Sequence, residues 1–137
     1  MAFASLSHKA AAEAGFPVAV RHPKTNRPLG TTIVVCGADS DTHKKIIRKQ
    51  LNRRMELSSR NRNKLTMTAE ELETESMDVV VACTKSWATG ERPELEMNEG
   101  EWLPCTPDNA RRVYEELPWL KEQIELEISD RNNFLKD

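Results

Sequence analysis

Residues 31–41, with the sequence TTIVVCGADSD, contain the change from a strand pattern to a helix pattern. The β-branched run in the first half is typical of a strand. In the second half, a side-chain oxygen of Asp39 or Ser40 can accept a hydrogen bond from the first free amides of a helix, and Asp41 favours the positive end of the helix dipole. The stretch therefore predicts a strand followed at once by a helix from residue 41 to about residue 60.

The segment before this stretch predicts a partner strand. Residues 16–20 read FPVAV, and a turn containing Pro23 and Pro28 separates them from the strand at residues 31–36. Because proline cannot donate to a strand ladder, the two prolines bound the turn and leave both strands intact. The sequence thus predicts an N-terminal β-hairpin, which needs a helix or another strand to pack against. Residues 1–15 are expected to form a flexible N-terminal segment.

The predicted first helix carries a narrow apolar stripe on a strongly basic surface. Ile47, Leu51 and Met55 recur at every fourth position, with Ile46 beside them. Nine lysine and arginine residues and only two acidic residues lie between residues 41 and 64. A stripe this narrow suits a helix that contacts both its own core and a second protein.

Three further helices are predicted downstream. Residues 68–71, TAEE, fit a capping box, and apolar residues at helical spacing continue to Trp87, which places Trp87 in the core. Residues 88–105 contain two glycines, two prolines and five glutamates, and predict a long acidic loop. A helix then begins at residues 106–109, TPDN, and another has Pro118 in its first turn. The predicted fold class is α+β, mainly α, with an N-terminal β-hairpin followed by about four helices in one domain over residues 16–137.

The charge of the chain is divided between its two halves. Residues 1–67 carry a net charge of +9 and residues 68–137 a net charge of −11, so the total of −2 conceals a strong asymmetry. Such a distribution indicates either an interaction surface or charge pairing between the halves. No apolar run has the length of about 18–20 residues that a membrane span requires, and Lys9 and Glu13 interrupt the stretch that a signal peptide would need. A cytoplasmic setting is expected.

The sequence offers no constellation of residues for catalysis. Cys36, Cys83 and Cys105 have neither the number of a disulfide framework nor the spacing of a zinc site, and reduced, buried thiols explain them better. There is no glycine-rich phosphate loop and no nucleophile elbow, and the glutamates are spaced like solvated helix faces. We therefore expect no enzymatic activity, no cofactor and no metal site.

The candidate partner-binding residues lie mainly on the basic helix. Trp102 and Trp119 join them as candidate exposed anchors, because tryptophan is enriched in binding hot spots. The basic helix also has the charge to neutralise nucleic-acid phosphates, but no aromatic residue interleaves it. The full candidate set is Lys44, Lys45, Ile47, Arg48, Leu51, Arg53, Met55, Trp102 and Trp119.

The order of motifs over residues 16–137 resembles the tail assembly chaperones of long-tailed bacteriophages and prophages. The resemblance is carried by GADS at residues 37–40 before the first helix, LTMTAEELE at 65–73, VACTKSW at 81–87, WLPC at 102–105, TPDNARRVY at 106–114, PWLKEQI at 118–124 and RNNFL at 131–135. Common features of that family are a small-residue-Asp-Ser start to the first helix and a Pro-Trp-x-x-x-Gln helix near the end. Both features are present here.

The resemblance implies a non-enzymatic, mainly helical assembly factor. Such a factor binds the phage tape-measure protein, keeps it in solution, recruits tail-tube subunits and is lost before the mature virion forms. It implies a location in the host bacterial cytoplasm and contacts with the tape-measure protein and the tail-tube protein. The opposite charges of the two halves also allow head-to-tail contacts between copies of the chain. Two other interpretations remain open: a small nucleic-acid-binding regulator, and a tail-completion protein that stays in the virion.

Overall fold

The structure is a computed structural model that describes residues 2–60 and 67–135, apart from the side chain of Arg60. Residues 1, 61–66, 136 and 137, which fall within the predicted segments 1–15 and 16–137, lie outside the described residues. The described residues form α1 (Lys9–Ala14), β1 (Phe16–Arg21), β2 (Pro28–Val35), α2 (Asp41–Arg60), α3 (Ala69–Cys83), β3 (Thr84–Thr89), β4 (Glu94–Asn98), β5 (Glu101–Pro104), α4 (Pro107–Glu116) and α5 (Pro118–Ser129), with 3-10 turns at Phe3–Leu6 and Arg131–Asn133.

Strand β2 is the centre of a three-stranded antiparallel sheet. It pairs with β1 on one side, with Val18 opposite Ile33, and with β3 on the other, with Ile33 opposite Trp87. Helices α2 and α3 lie in sequence between β2 and β3 and pack against each other in opposite directions. Leu57 lines one groove with Thr68, and Ile46 lines another with Ala82. Strands β4 and β5 form a separate two-stranded sheet beside β3.

The predicted fold class, mainly α with strands confined to an N-terminal hairpin, is wrong. The described residues contain five α-helices and five strands, and three of the strands lie in the middle of the chain. The first cause is the end of α3. The Thr68 cap starts this helix as predicted, with Thr68 Oγ1 accepting from the amide of Glu71. The helix ends at Cys83, however, and the chain continues as β3. Trp87 is buried as predicted, but it lies on a strand instead of a helix. Residues 84–89 pair with the side of β2 that β1 leaves open and satisfy its backbone hydrogen bonds.

The second cause is the segment predicted as an acidic loop at residues 88–105. It forms the end of β3 and the β4–β5 hairpin, in which Leu95 and Leu103 are opposite each other and buried. Gly100 has a φ of +79° in the turn, a conformation that suits glycine. The glutamates at 94, 96 and 101 are strand residues. Glutamate has a low strand propensity, and here the pairing between β4 and β5 outweighs it.

The core lies between one face of the three-stranded sheet and helices α3, α4 and α5. Tyr114, Ile33, Leu120 and Ile124 are its largest fully buried side chains. Tyr114 Oη is 2.6 Å from Thr84 Oγ1, so its polar end has a partner inside the core. Helix α4 begins at Pro107 after a Thr106 cap, and α5 begins at Pro118, as the sequence predicts. In the part of the chain that the structure describes, no helix is both long enough and apolar enough to cross a membrane.

Asp39, two residues before α2, is hydrogen-bonded to one residue from the N-terminal segment and one from the C-terminal segment. Its carboxylate accepts from the Arg131 guanidinium, with Nε at 2.8 Å, and it also contacts His8 Nε2. These hydrogen bonds, that of Arg131 first, hold the pKa of the Asp39 carboxyl well below its usual range. On the N-terminal side, α1 packs nearby with Ala12 buried. The flexibility expected for residues 1–15 stays a prediction.

Gly37 lets the C-terminal segment pack on the end of β2. A Cβ at this position would lie 2.7 Å from Cε2 of the Phe134 ring, which is closer than carbon atoms tolerate. Phe134 is buried and also makes an edge contact with Phe16, with ring centroids 6.0 Å apart. The missing side chain of residue 37 is therefore part of the packing.

Replacing Gly37 by alanine is expected to lower the free energy of unfolding by about 1–3 kcal/mol, because the Phe134 ring must move to admit the methyl group. Urea denaturation measures this change. The control is the same substitution in a Phe134→Ala background, where the cost should fall to roughly 0.5 kcal/mol or less because the ring is gone. An equal cost in both backgrounds would show that the ring is not the cause.

The Asp39→Asn variant is expected to be about 1 kcal/mol less stable than the wild type at pH 7, since it loses charged hydrogen bonds that are partly screened by solvent. The lowered pKa of Asp39 contributes stability above about pH 4, the range of an unfolded aspartate, and that contribution is lost as the pH falls towards the folded value. The stability difference between the two proteins should therefore shrink below about pH 4. Urea denaturation at several pH values tests this, with the exposed Glu122→Gln as control, and a constant difference down to pH 3 contradicts it.

Candidate partner-binding surface

Helix α2 is anchored firmly at its first turn. Ser40 is fully buried; its Oγ donates to the carbonyl of Gly37 at 2.6 Å and accepts from the amide of His43 at 3.1 Å. The carboxylate of Glu13 accepts from both the amide and the hydroxyl of Thr42, at 3.0 and 2.6 Å. The hydrogen bonds from Thr42 lower the pKa of Glu13. The predicted helix start is confirmed, and Ser40 supplies the capping oxygen.

Further along α2, its inner face is attached to α3 at Glu75. Gln50 Nε2 donates to the backbone oxygen of Glu75 at 2.9 Å, and the Arg54 guanidinium pairs with the carboxylate of Glu75. Glu75 is buried, whereas the side chain of Arg54 is 43% exposed. A buried carboxylate needs a partner of this kind, because desolvation of an unpaired charge is costly.

The opposite side of α2 faces away from α3 and combines apolar and basic side chains. Leu51 and Met55 are 48% and 70% exposed. At 3.6 residues per turn, Lys44 and Arg48 fall with them in a sector of about 60° around the helix. We call this surface the outer face of α2; its residues are Lys44, Lys45, Arg48, Leu51 and Met55. Ile47 is half-buried at the border between this face and Arg54.

The cations of the outer face are not neutralised by the acidic half of the chain. Within residues 2–59 and 67–135, Lys44, Lys45, Arg48 and the neighbouring Arg53 form no ion pair, in contrast to Arg54. The charge asymmetry of the sequence left open whether the basic and acidic halves pair with each other. In helix α2, Arg54 forms such a pair with Glu75 of the acidic half. Next to Leu51 and Met55, Lys45 and Arg48 are exposed and Lys44 is half-buried.

The two candidate tryptophans lie on other elements. Trp102 is half-buried on β5, and the guanidinium of Arg92 lies 3.8 Å from its ring centroid. This cation–π contact already covers one face of the indole. Trp119 is half-buried in the first turn of α5 and packs against the core. The outer face of α2 therefore contains five of the nine candidate residues. Arg53 lies on the α3 side of the same helix, where it lines grooves together with Glu75.

Sequence reasoning missed a second surface, a groove between α3 and the junction of α4 and α5. Leu72 is 51% exposed in this groove. Met77 and Pro118 line it, and Glu73 and Glu115 also border it. No local signal marks it, because it exists only when three helices come together.

The cysteines lack the features of reactive thiols. Cys36 and Cys83 are buried and Cys105 is half-buried. Burial raises the pKa of all three, and that of Cys83 to about 12. In the described part of the chain no three His, Cys, Asp or Glu residues are grouped so that they could hold a metal ion.

Comparison with protein-family models, with curated proteins and with solved structures finds no match to this chain. The surfaces of the molecule therefore carry the structural evidence on its function.

Replacing Arg54 by alanine is expected to lower the free energy of unfolding by about 1–2 kcal/mol, since it leaves the buried Glu75 carboxylate without its cation; solvent screening of the exposed guanidinium keeps the effect moderate. Arg53→Ala is the matched control, because this neighbouring residue is exposed and should change stability by less than about 0.5 kcal/mol. Urea denaturation of the two variants compares them. Equal effects would contradict the role given to Glu75 as the attachment point of α2.

Proposed function

We propose that the chain is a non-enzymatic tail assembly chaperone that binds a phage tape-measure protein through the outer face of α2. In this proposal it acts in the host bacterial cytoplasm, recruits tail-tube subunits to the bound client and is absent from the mature virion. The proposal combines the ordered motifs of the sequence with one structural observation. That observation is the exposure of Leu51 and Met55 among cations that have no ion pair in the described residues.

The composition of the outer face suits a long helical client. Exposed aliphatic side chains one turn apart can pack on the apolar stripe of a second helix, as in other helix-recognition surfaces. The flanking cations add electrostatic steering and select clients with acidic positions beside the stripe. Because the face comprises five side chains, it is smaller than a stable interface of about 800 Å² per partner. Such contacts can be displaced when tail-tube subunits assemble.

Binding to nucleic acid is the strongest competing function. The unpaired cations of α2 could neutralise phosphates and release counterions. However, Leu51 and Met55 lie between the cations, and these apolar side chains make no favourable contact with a phosphate backbone. Residues 41–60 also contain no Phe, Tyr or Trp on which a base could stack. The apolar content of the face thus favours a protein client.

Co-expression with the tape-measure protein tests the proposal. The triple variant Lys44→Glu, Lys45→Glu, Arg48→Glu should reduce the amount of soluble, co-purified client by roughly tenfold or more, because it reverses the steering charge. The matched control reverses three exposed cations elsewhere, with Lys9→Glu, Lys24→Glu and Arg27→Glu, and has the same net charge. This control should retain the client.

Unchanged capture of the client by the α2 variant would overturn the assignment. So would tight binding of a duplex or single-stranded oligonucleotide that falls steeply between two salt concentrations, measured by fluorescence anisotropy. Detection of the protein in purified virions by mass spectrometry would instead support a retained structural component.

A further inference from the structure

The groove between α3 and the α4–α5 junction has an apolar floor and an acidic border. The open groove has a volume of about 490 Å³. Leu72, Met77 and Pro118 give it apolar surface, and Leu72 is 51% exposed. Glu73 and Glu115 are exposed beside these residues. We call this surface the acidic groove and define it by these five residues.

The negative charge of the acidic groove is not cancelled from within. In the described ranges Glu73 and Glu115 form no ion pair. The cation that lines the groove, Lys121, is engaged with Glu125 Oε1 at 2.6 Å and with Ser76 Oγ at 3.0 Å. The groove therefore combines exposed apolar area with two free carboxylates.

The outer face of α2 is the chemical complement of this groove. Leu51 and Met55 supply exposed apolar side chains, and Lys44 and Arg48 supply cations on the same side of the helix. The two surfaces lie on different elements and share no residue. We propose that the outer face of α2 of one copy of this chain binds the acidic groove of a second copy.

This contact is heterologous, since each copy contributes two different surfaces. The outer face of α2, here called the donor surface, binds one neighbour, and the acidic groove, here called the acceptor surface, binds another. A heterologous contact extends copies in a row or closes them into a ring, depending on the rotation between neighbours. The inference rests on the proposed function, because the contact occupies the same outer face of α2 that the client binds. The two contacts therefore exclude each other, and a bound client displaces the neighbouring copy. In free solution the small contact area makes the association weak, with a dissociation constant on the order of 10–100 µM.

Two exposed-surface variants separate the donor from the acceptor. The donor variant carries Leu51→Asp and Met55→Asp, and the acceptor variant carries Glu73→Lys and Glu115→Lys. Because all four side chains are exposed, both variants should keep the fold, which circular dichroism verifies. The control variant carries Glu122→Lys and Leu126→Asp on an exposed part of α5 that lies outside both surfaces.

Sedimentation velocity from about 5 to 500 µM, a range that brackets the expected dissociation constant, measures the association. The wild type and the control should associate with rising concentration, and each of the two surface variants alone should stay monomeric. An equimolar mixture of the two variants should form a dimer and no larger species, because the intact groove of one meets the intact helix of the other. Raising NaCl from 50 to 500 mM should weaken this dimer about tenfold, as expected for exposed charges.

Three results would overturn the proposal: a wild type that stays monomeric, a mixture that stays monomeric, or an acceptor variant that still associates by itself. The last would indicate an α2–α2 contact. The acceptor variant also separates this inference from the proposed function, because it retains the outer face of α2. It should still capture the tape-measure protein in co-expression, so loss of self-association and loss of client binding are independent readouts.

Discussion

Helix α2 is attached to the rest of the molecule by polar contacts on its inner side. Ser40 and Glu13 hold its first turn, and Glu75 accepts from Gln50 and Arg54 further along. The buried Glu75 carboxylate requires a cation nearby, and Arg54 satisfies that requirement from within the chain. The attachment thereby fixes the rotation of the helix and directs Leu51 and Met55 away from α3. The surface properties of the molecule depend on this constraint.

The remainder of the fold serves as a rigid base for that helix. The three-stranded sheet and helices α3, α4 and α5 enclose the core, and the hydroxyl of the buried Tyr114 has Thr84 as its hydrogen-bond partner. A packed base with an exposed, basic and apolar helix matches the needs of an assembly factor, which must bind a client and later release it. The acidic groove places a complementary surface on the same base. Because the client and the groove of a second copy both contact the outer face of α2, the two weak contacts compete for it.

The features that the sequence predicts correctly are local ones. The strand-to-helix change at residues 31–41 and the caps at Thr68 and Thr106 depend on neighbouring residues, and each marks a helix start in the structure. The errors lie at residues 84–105, where the strands are specified by partners. Strand β3 pairs with β2 across two intervening helices, and Trp87 fits the helical period and the strand equally well. The apolar stripe of α2 was visible in the sequence, but its exposure depends on how α2 packs on α3.

The most direct measurement of the central claim is covalent labelling of the chain, free and bound to the tape-measure protein. Lysine acetylation and methionine oxidation are read by mass spectrometry at a concentration where the free chain is monomeric. If the outer face of α2 is the binding surface, labelling of Lys44, Lys45 and Met55 should fall several-fold in the complex, while Lys9 and Lys24 keep their reactivity. Undiminished labelling of Met55 in a stoichiometric complex would contradict the account.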